Sequence, residues 1–115
     1  MRKLSKATKE QMAGVYKEAT RLIETTGWTH GLIDRDKHNK PCVCNSVGLP
    51  VSPRYFSVRG ALLYACQGNR EIYNKLLEHI TSLLPDNMLM HTWCLSERNT
   101  SVDAIELLTT AYRSL

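Results

Sequence analysis

The stretch REIYNKLLEHITSLL, Arg70 to Leu84, carries Ile72, Leu76, Leu77, Ile80, Leu83 and Leu84 at helical spacing. Apolar side chains recurring every three or four residues make one stripe on a helix, and they cannot make one face of a strand. A stripe this clean must be buried, so the rest of the chain has to supply apolar faces that cover it. Asn69 precedes the run as an N-cap and Pro85 stops it.

Two further stripes and one broken one answer that need. Met12, Val15, Tyr16, Ala19, Leu22 and Ile23 predict a helix from Lys9 to Thr25, with Thr8 as N-cap, Gln11 completing a capping box and Gly27 as the stop. Gly14 lies inside it, where a missing Cβ would admit a close helix contact. Ser52-Pro53 predicts the start of a second helix running to Cys66, ended by Gly68, with Phe56, Leu62, Leu63 and Ala65 among its apolar residues. Gly60-Ala61 would let another element approach its backbone. Thr100 with Asp103 opens a last helix whose inward face is expected to be Val102, Ile105, Leu108, Ala111 and Tyr112. Between these, PDNMLMHTWCLSERN is a connector with enough apolar content to pack onto the core.

After the first helix comes GWTHGLIDRDKHNKPCVCN. Turn-forming Asp36 to Lys40 lies between Leu32-Ile33 and Cys42-Val43-Cys44, which predicts a short β-hairpin. The fold class is therefore mainly α: about four helices around one core, with a small β-hairpin inserted after helix one. The chain of 115 residues reads as one domain, with residues 1–7 as a flexible basic arm. At 43% hydrophobic and 23% charged it is ordinary globular material, which argues against disorder. No apolar run is long enough to span a bilayer, and no apolar segment follows the basic start, so a cytoplasmic location is expected.

Charge is uneven. Residues 1–68 hold eleven Lys/Arg against five Asp/Glu, and residues 69–115 hold four against six. A basic first half suits nucleic acid or an acidic protein partner, and it also suits a plain solvated face. The arm Arg2, Lys3, Lys6 and Lys9 is the nucleic-acid candidate. Arg54 and Arg59 are five apart, off any single helix face, and do not make a recognition helix.

Cys42, Cys44, Cys66 and Cys94 show no disulfide framework, and Cys42 and Cys44 are the only close pair, so zinc would need two more ligands from Cys66, Cys94, His38 or His91. Buried thiols explain them more simply. Asp34, Asp36 and His38 alternate and would share one face of a continuous strand, as a metal site or an acid–base pair would need. A turn at Asp36–Asn39 breaks that alternation. His38–Cys44 and His91–Cys94 are the conceivable dyads, and no nucleophile elbow, P-loop or dinucleotide motif accompanies them. Asn99-Thr100-Ser101 matches a glycosylation sequon that a cytoplasmic protein would not use. No catalytic residue, metal site or cofactor is expected. The interaction or ligand candidates are Trp28, His30, Arg35, Asp36 and Trp93. Trp28 and Trp93 read as core plugs or exposed anchors, and Arg35 as a clamp to a helix carboxylate or an anion binder.

Gly27-Trp28-Thr29-His30-Gly31, Arg35-Asp36, Ser52-Pro53, Phe56-Ser57-Val58-Arg59-Gly60-Ala61-Leu62, Trp93 and Asn99-Thr100 together resemble the pattern of a family of small bacterial and phage proteins of unknown function. The likeness spans about Glu18 to Ala111. Ser57 stands where that family tends to have Cys, Asn39 where its turn tends to have Gly, and Asn99 where it tends to have Arg. If the family Cys were catalytic, this chain would be inactive or Ser-based. The resemblance implies the fold and a bacterial or phage origin, and it brings no activity. Three functions remain: a non-enzymatic regulator or inhibitor that docks on a protein partner, a nucleic-acid binder using the basic first half, and a small-ligand protein or enzyme with a site at the Gly27–Asp36 corner.

Overall fold

The computed structural model describes residues 4–29, 34–46, 49, 51, 53–84, 88–96 and 99–115, and of His91 the backbone alone. His30, Gly31, Leu32, Ile33, Gly48, Pro50, Ser52, Pro85, Arg2 and Lys3 lie outside the described residues.

Helix α1 spans Lys6–Thr25, three residues longer at its start than the sequence suggests. Ser5, not Thr8, is the N-cap: its hydroxyl accepts from the Thr8 amide at 3.1 Å. Lys6 and Ala7 are good helix formers, so the earlier cap wins and Thr8 becomes its partner. The expected basic arm is correspondingly shorter. The apolar stripe is as expected, with Met12, Val15, Tyr16, Ala19, Leu22 and Ile23 buried. Gly14 faces open space and admits no close contact.

Helix α2 spans Val58–Ala65 and starts well after Ser52-Pro53. The reason is long-range. Arg54, Tyr55 and Phe56 are held extended because their backbone groups pair elsewhere. Phe56 donates to the Gly27 carbonyl at 3.0 Å and accepts from Thr29 at 3.0 Å, while Arg54 and Tyr55 both donate to the Arg35 carbonyl at 2.8 Å. Ser57 then caps the helix, its Oγ accepting from the Gly60 amide at 3.0 Å.

Helix α3 spans Arg70–Thr81 under an Asn69 cap and ends three residues short of Leu84. Ile72, Tyr73, Leu76, His79 and Ile80 are buried on it. A further helix, α4 at Met90–Leu95, occupies the connector. Its Met90, Trp93 and Cys94 are buried, so the connector does join the core. Helix α5 spans Ser101–Arg113 behind the expected capping box of Thr100 and Asp103. Its buried residues are Ala104, Leu108 and Ala111, while Val102 and Tyr112 are exposed against expectation. Small alanines let α5 lie close to α1, and Tyr112 instead receives the Lys17 ammonium 5.1 Å from its ring centre.

The molecule is thus mainly helical, with five helices among the described residues rather than four. α1 is central and packs chiefly against α5 and α2. Of the expected hairpin, Leu32-Ile33 lies outside the described residues. Bridges among the described residues pair Trp28 with Phe56, and Arg35 with both Pro41 and Tyr55. None of the described helices is long and apolar enough to cross a membrane.

Candidate functional site

The corner begins where α1 stops. Thr26 is its C-cap, and Gly27 follows with φ of 148°. A Cβ at Gly27 would lie 2.9 Å from the Arg54 carbonyl oxygen, so glycine is required for this close passage. Arg54 in turn donates from its guanidinium to the Thr26 carbonyl at 2.7 Å, satisfying one of the helix's terminal acceptors. Trp28 is half-buried against the core.

Asp34 is the centre of the corner. It is buried, and its Oδ1 accepts from the Ser57 amide at 2.8 Å and from the Ser57 hydroxyl at 3.3 Å. Burial pushes its carboxyl up to about 6, against the lowering effect of the Ser57 bonds. Gly60 lies directly beneath: a Cβ there would sit 1.9 Å from Asp34 Oδ1. The close approach expected at Gly60-Ala61 is therefore made by a carboxylate. Ser57 is fully buried and caps α2, so its hydroxyl is not offered to a substrate.

The next two residues build the turn. Asp36 Oδ1 accepts from the His38 amide at 2.8 Å and the Lys40 amide at 3.1 Å, and Asn39 takes φ of 61°. The Lys40 amide foremost holds the Asp36 carboxyl below its usual range. Arg35 donates from its guanidinium to the Asn39 carbonyl at 2.9 Å rather than to a carboxylate on a helix. It ties the turn from inside. Among the described residues the ion pairs are Arg21–Glu18 and Lys75–Glu71.

Outside this bracket lies a groove of about 450 Å³. Pro41, Cys42, Val43, Val51 and Pro53 supply its apolar lining, and Asp36, Lys37, His38 and Arg54 its polar one. Val43 is 76% exposed and Val51 50%. The Val51 amide donates to the Val43 carbonyl at 2.8 Å, and Cys42 to Asp34 at 2.9 Å, so the walls are fastened to the corner.

The remaining candidates fall elsewhere. Trp93 is buried on α4, with its carbonyl accepting from the Asn99 side chain at 2.8 Å. Lys6 and Lys9 are exposed on the first turn of α1. Contrary to the expectation of buried thiols, only Cys94 is buried; Cys42 and Cys66 are half-buried and Cys44 is exposed. Burial raises Cys42, Cys66 and Cys94, the last to about 11, which keeps these thiols protonated near neutrality. Among the described residues no three His, Cys, Asp or Glu groups are arranged to hold a metal ion.

Sequence reasoning missed one polar constellation. His79 is buried on α3, with Nδ1 2.7 Å from the Tyr16 hydroxyl on α1 and Nε2 3.0 Å from the Ser114 hydroxyl at the end of α5. The Tyr16 hydroxyl is also 3.2 Å from the Leu76 carbonyl, and Ser114 donates to Ala111 at 3.0 Å. The shorter contact favours Tyr16 donating to Nδ1, leaving Nε2–H to donate to Ser114. Burial lowers His79 and raises Tyr16, so both stay neutral. The available signal was Tyr16 itself: a tyrosine in an apolar stripe needs a partner for its hydroxyl.

No curated protein and no solved structure is found to match the chain. A family model does match it over residues 7–114, nearly its whole length, and its description gives a family of unknown function. The corner, the bracket and the helices thus lie inside one shared domain pattern, and the chain belongs to the family of unknown function DUF6197.

Proposed function

We propose that this protein is a small non-enzymatic docking module, a bacterial or phage regulator acting in the cytoplasm by binding another macromolecule, most simply a protein. The observation that carries this reading is the contrast between its polar groups and its apolar surface. The chemically capable side chains of the corner are engaged in holding the fold: Asp34 with Ser57, Asp36 with the turn amides, Arg35 with Asn39. Apolar side chains meanwhile stand in solvent on the fastened corner, Val43 at 76% and Val51 at 50% exposure in one groove. Aliphatic surface presented in this way is the usual material of a protein contact.

The test is capture of a stoichiometric partner from host lysate by the tagged full chain, followed by co-elution of the purified pair. A one-to-one or symmetric complex is expected. Recovery of nucleic acid alone, released steeply by salt, would replace this reading with one based on exposed Lys6 and Lys9.

A further inference from the structure

We infer that the groove lined by the 36–43 turn and by Val51, Pro53 and Arg54 binds an extended acidic protein segment that inserts an aliphatic side chain. This rests on the docking reading above and names its site and the chemistry of its partner. Three observations favour it.

The first is apolar exposure. Val43 and Val51, 76% and 50% exposed, both line the groove, and the 2.8 Å bond between their backbones holds them next to each other. A single inserted aliphatic side chain covers both.

The second is charge. Lys37 and Arg54 line the same groove, and neither has an ion-pair partner among the described residues. The one acid there, Asp36, already accepts two turn amides. Arg35 and Lys40 adjoin it in sequence. Two cations against one carboxylate leave the lining with an excess of positive charge, which favours a carboxylate arriving beside the apolar anchor.

The third is preorganisation. The walls are fixed by the Asp36 turn, by the Cys42 amide on Asp34 and by Arg54 on the end of α1, so little order has to be imposed on binding. A volume of about 450 Å³ fits a short segment. Among the described residues the groove is lined by no Phe, Tyr or Trp and by one small ring, His38, so it offers a nucleic-acid base little stacking surface.

Selection of a random peptide phage library on the immobilised full chain tests this. Enriched peptides are expected to share an aliphatic residue flanked by Asp or Glu, and to bind more weakly as salt rises. Val43→Asp should lower their affinity about tenfold, the loss expected when one valine's burial is removed. Lys37→Glu should lower it severalfold. Both residues are exposed, so thermal melting should be unchanged and a folding defect is separable from a binding one. No enrichment, enrichment of sequences without acids, indifference to Val43→Asp, or tighter binding of oligo(dT) than of any peptide through the same residues would each overturn the inference. A lysate partner captured equally by Val43→Asp would overturn the groove while leaving the docking reading in place.

Discussion

Asp34 in the corner and His79 in the helical bundle are both buried titratable groups, yet their settings differ. Asp34 lies among backbone groups of irregular chain and is fixed by the amide and hydroxyl of one residue, Ser57. His79 lies within an apolar core and joins side chains from α1 and from the end of α5. The bundle is made by apolar area, and polar links such as this one are additions. The corner has little apolar area of its own, and its shape follows from directed polar bonds. The two regions should therefore fail in different ways.

The largest effect is expected in the bundle. Leu108 is fully buried on α5 between Ala104 and Ala111. Leu108→Ala removes three methylene-equivalents and leaves a cavity that small neighbours cannot fill, at a cost of about 4 kcal/mol in denaturant unfolding. A loss smaller than that of any corner substitution below would erase the division between the regions.

Acid sharpens the comparison, because the two buried groups respond with opposite sign. The folded Asp34 carboxyl holds its proton up to about pH 6, whereas the unfolded one releases it near 3.8. Across that window the folded state carries more protons, so its contribution falls as pH rises, by about 3 kcal/mol in all. His79 is lowered by burial, so its neutral form favours the fold above the ordinary histidine range, and that contribution is lost as pH falls. Unfolding curves of Asp34→Asn and His79→Gln between pH 4 and 7 separate them. Relative to the parent, Asp34→Asn should gain ground as pH rises from 4 to 6, and His79→Gln should gain ground as pH falls. Parallel profiles for all three proteins would show that neither group is buried as described.

Within the corner, Gly60→Ala is the sharpest steric probe. Its Cβ would sit 1.9 Å from Asp34 Oδ1, and the carboxylate cannot move without leaving the Ser57 amide. The expected loss is about 2 kcal/mol, overcoming the gain in helix propensity that alanine normally brings. A stabilised Gly60→Ala protein would mean that the carboxylate moves freely and that the bracket is loose.

The legible parts of this fold are those decided by neighbours in sequence. Asn69 before the α3 stripe, and Thr100 with Asp103 before α5, act within one turn of the helix they start. The start of α2 was misplaced because Ser52-Pro53 is a local signal, whereas Arg54 to Phe56 answer to residues 27 and 35. Asp34 and Ser57 are 23 residues apart, and nothing in either's immediate context names the other. On α5 the expected Leu108 and Ala111 are buried and Ile105 packs against the core, but the edges of the face differ because Val102 and Tyr112 look more apolar than Ala104. Close helix packing rewards the small residue instead. The groove is illegible for a like reason: Val43 and Val51 are eight residues apart and become neighbours through a backbone bond that neither one's local context announces. Arg35 and Asp36, both interaction candidates from the sequence, hold the 36–40 turn, and Asp36 itself lines the groove.

The smallest expected effect tests that last point. Asp36 is solvent-accessible, yet its Oδ1 takes the amides of both His38 and Lys40. Asp36→Ala removes the one acceptor of both amides and leaves the bundle untouched. Hydrogen exchange at the His38 and Lys40 amides should quicken severalfold, while amides of α3 and the melting temperature stay as they are. Asp36→Asn, which keeps an acceptor oxygen, should restore most of the protection. The same Asp36→Ala protein should also hold an acidic aliphatic peptide less tightly, because the Val43 side of the groove loses its fixed position. Quickened exchange spreading into α3 would show that the turn and the bundle unfold as one unit, and the contrast between the two regions would then describe their chemistry but not their stability.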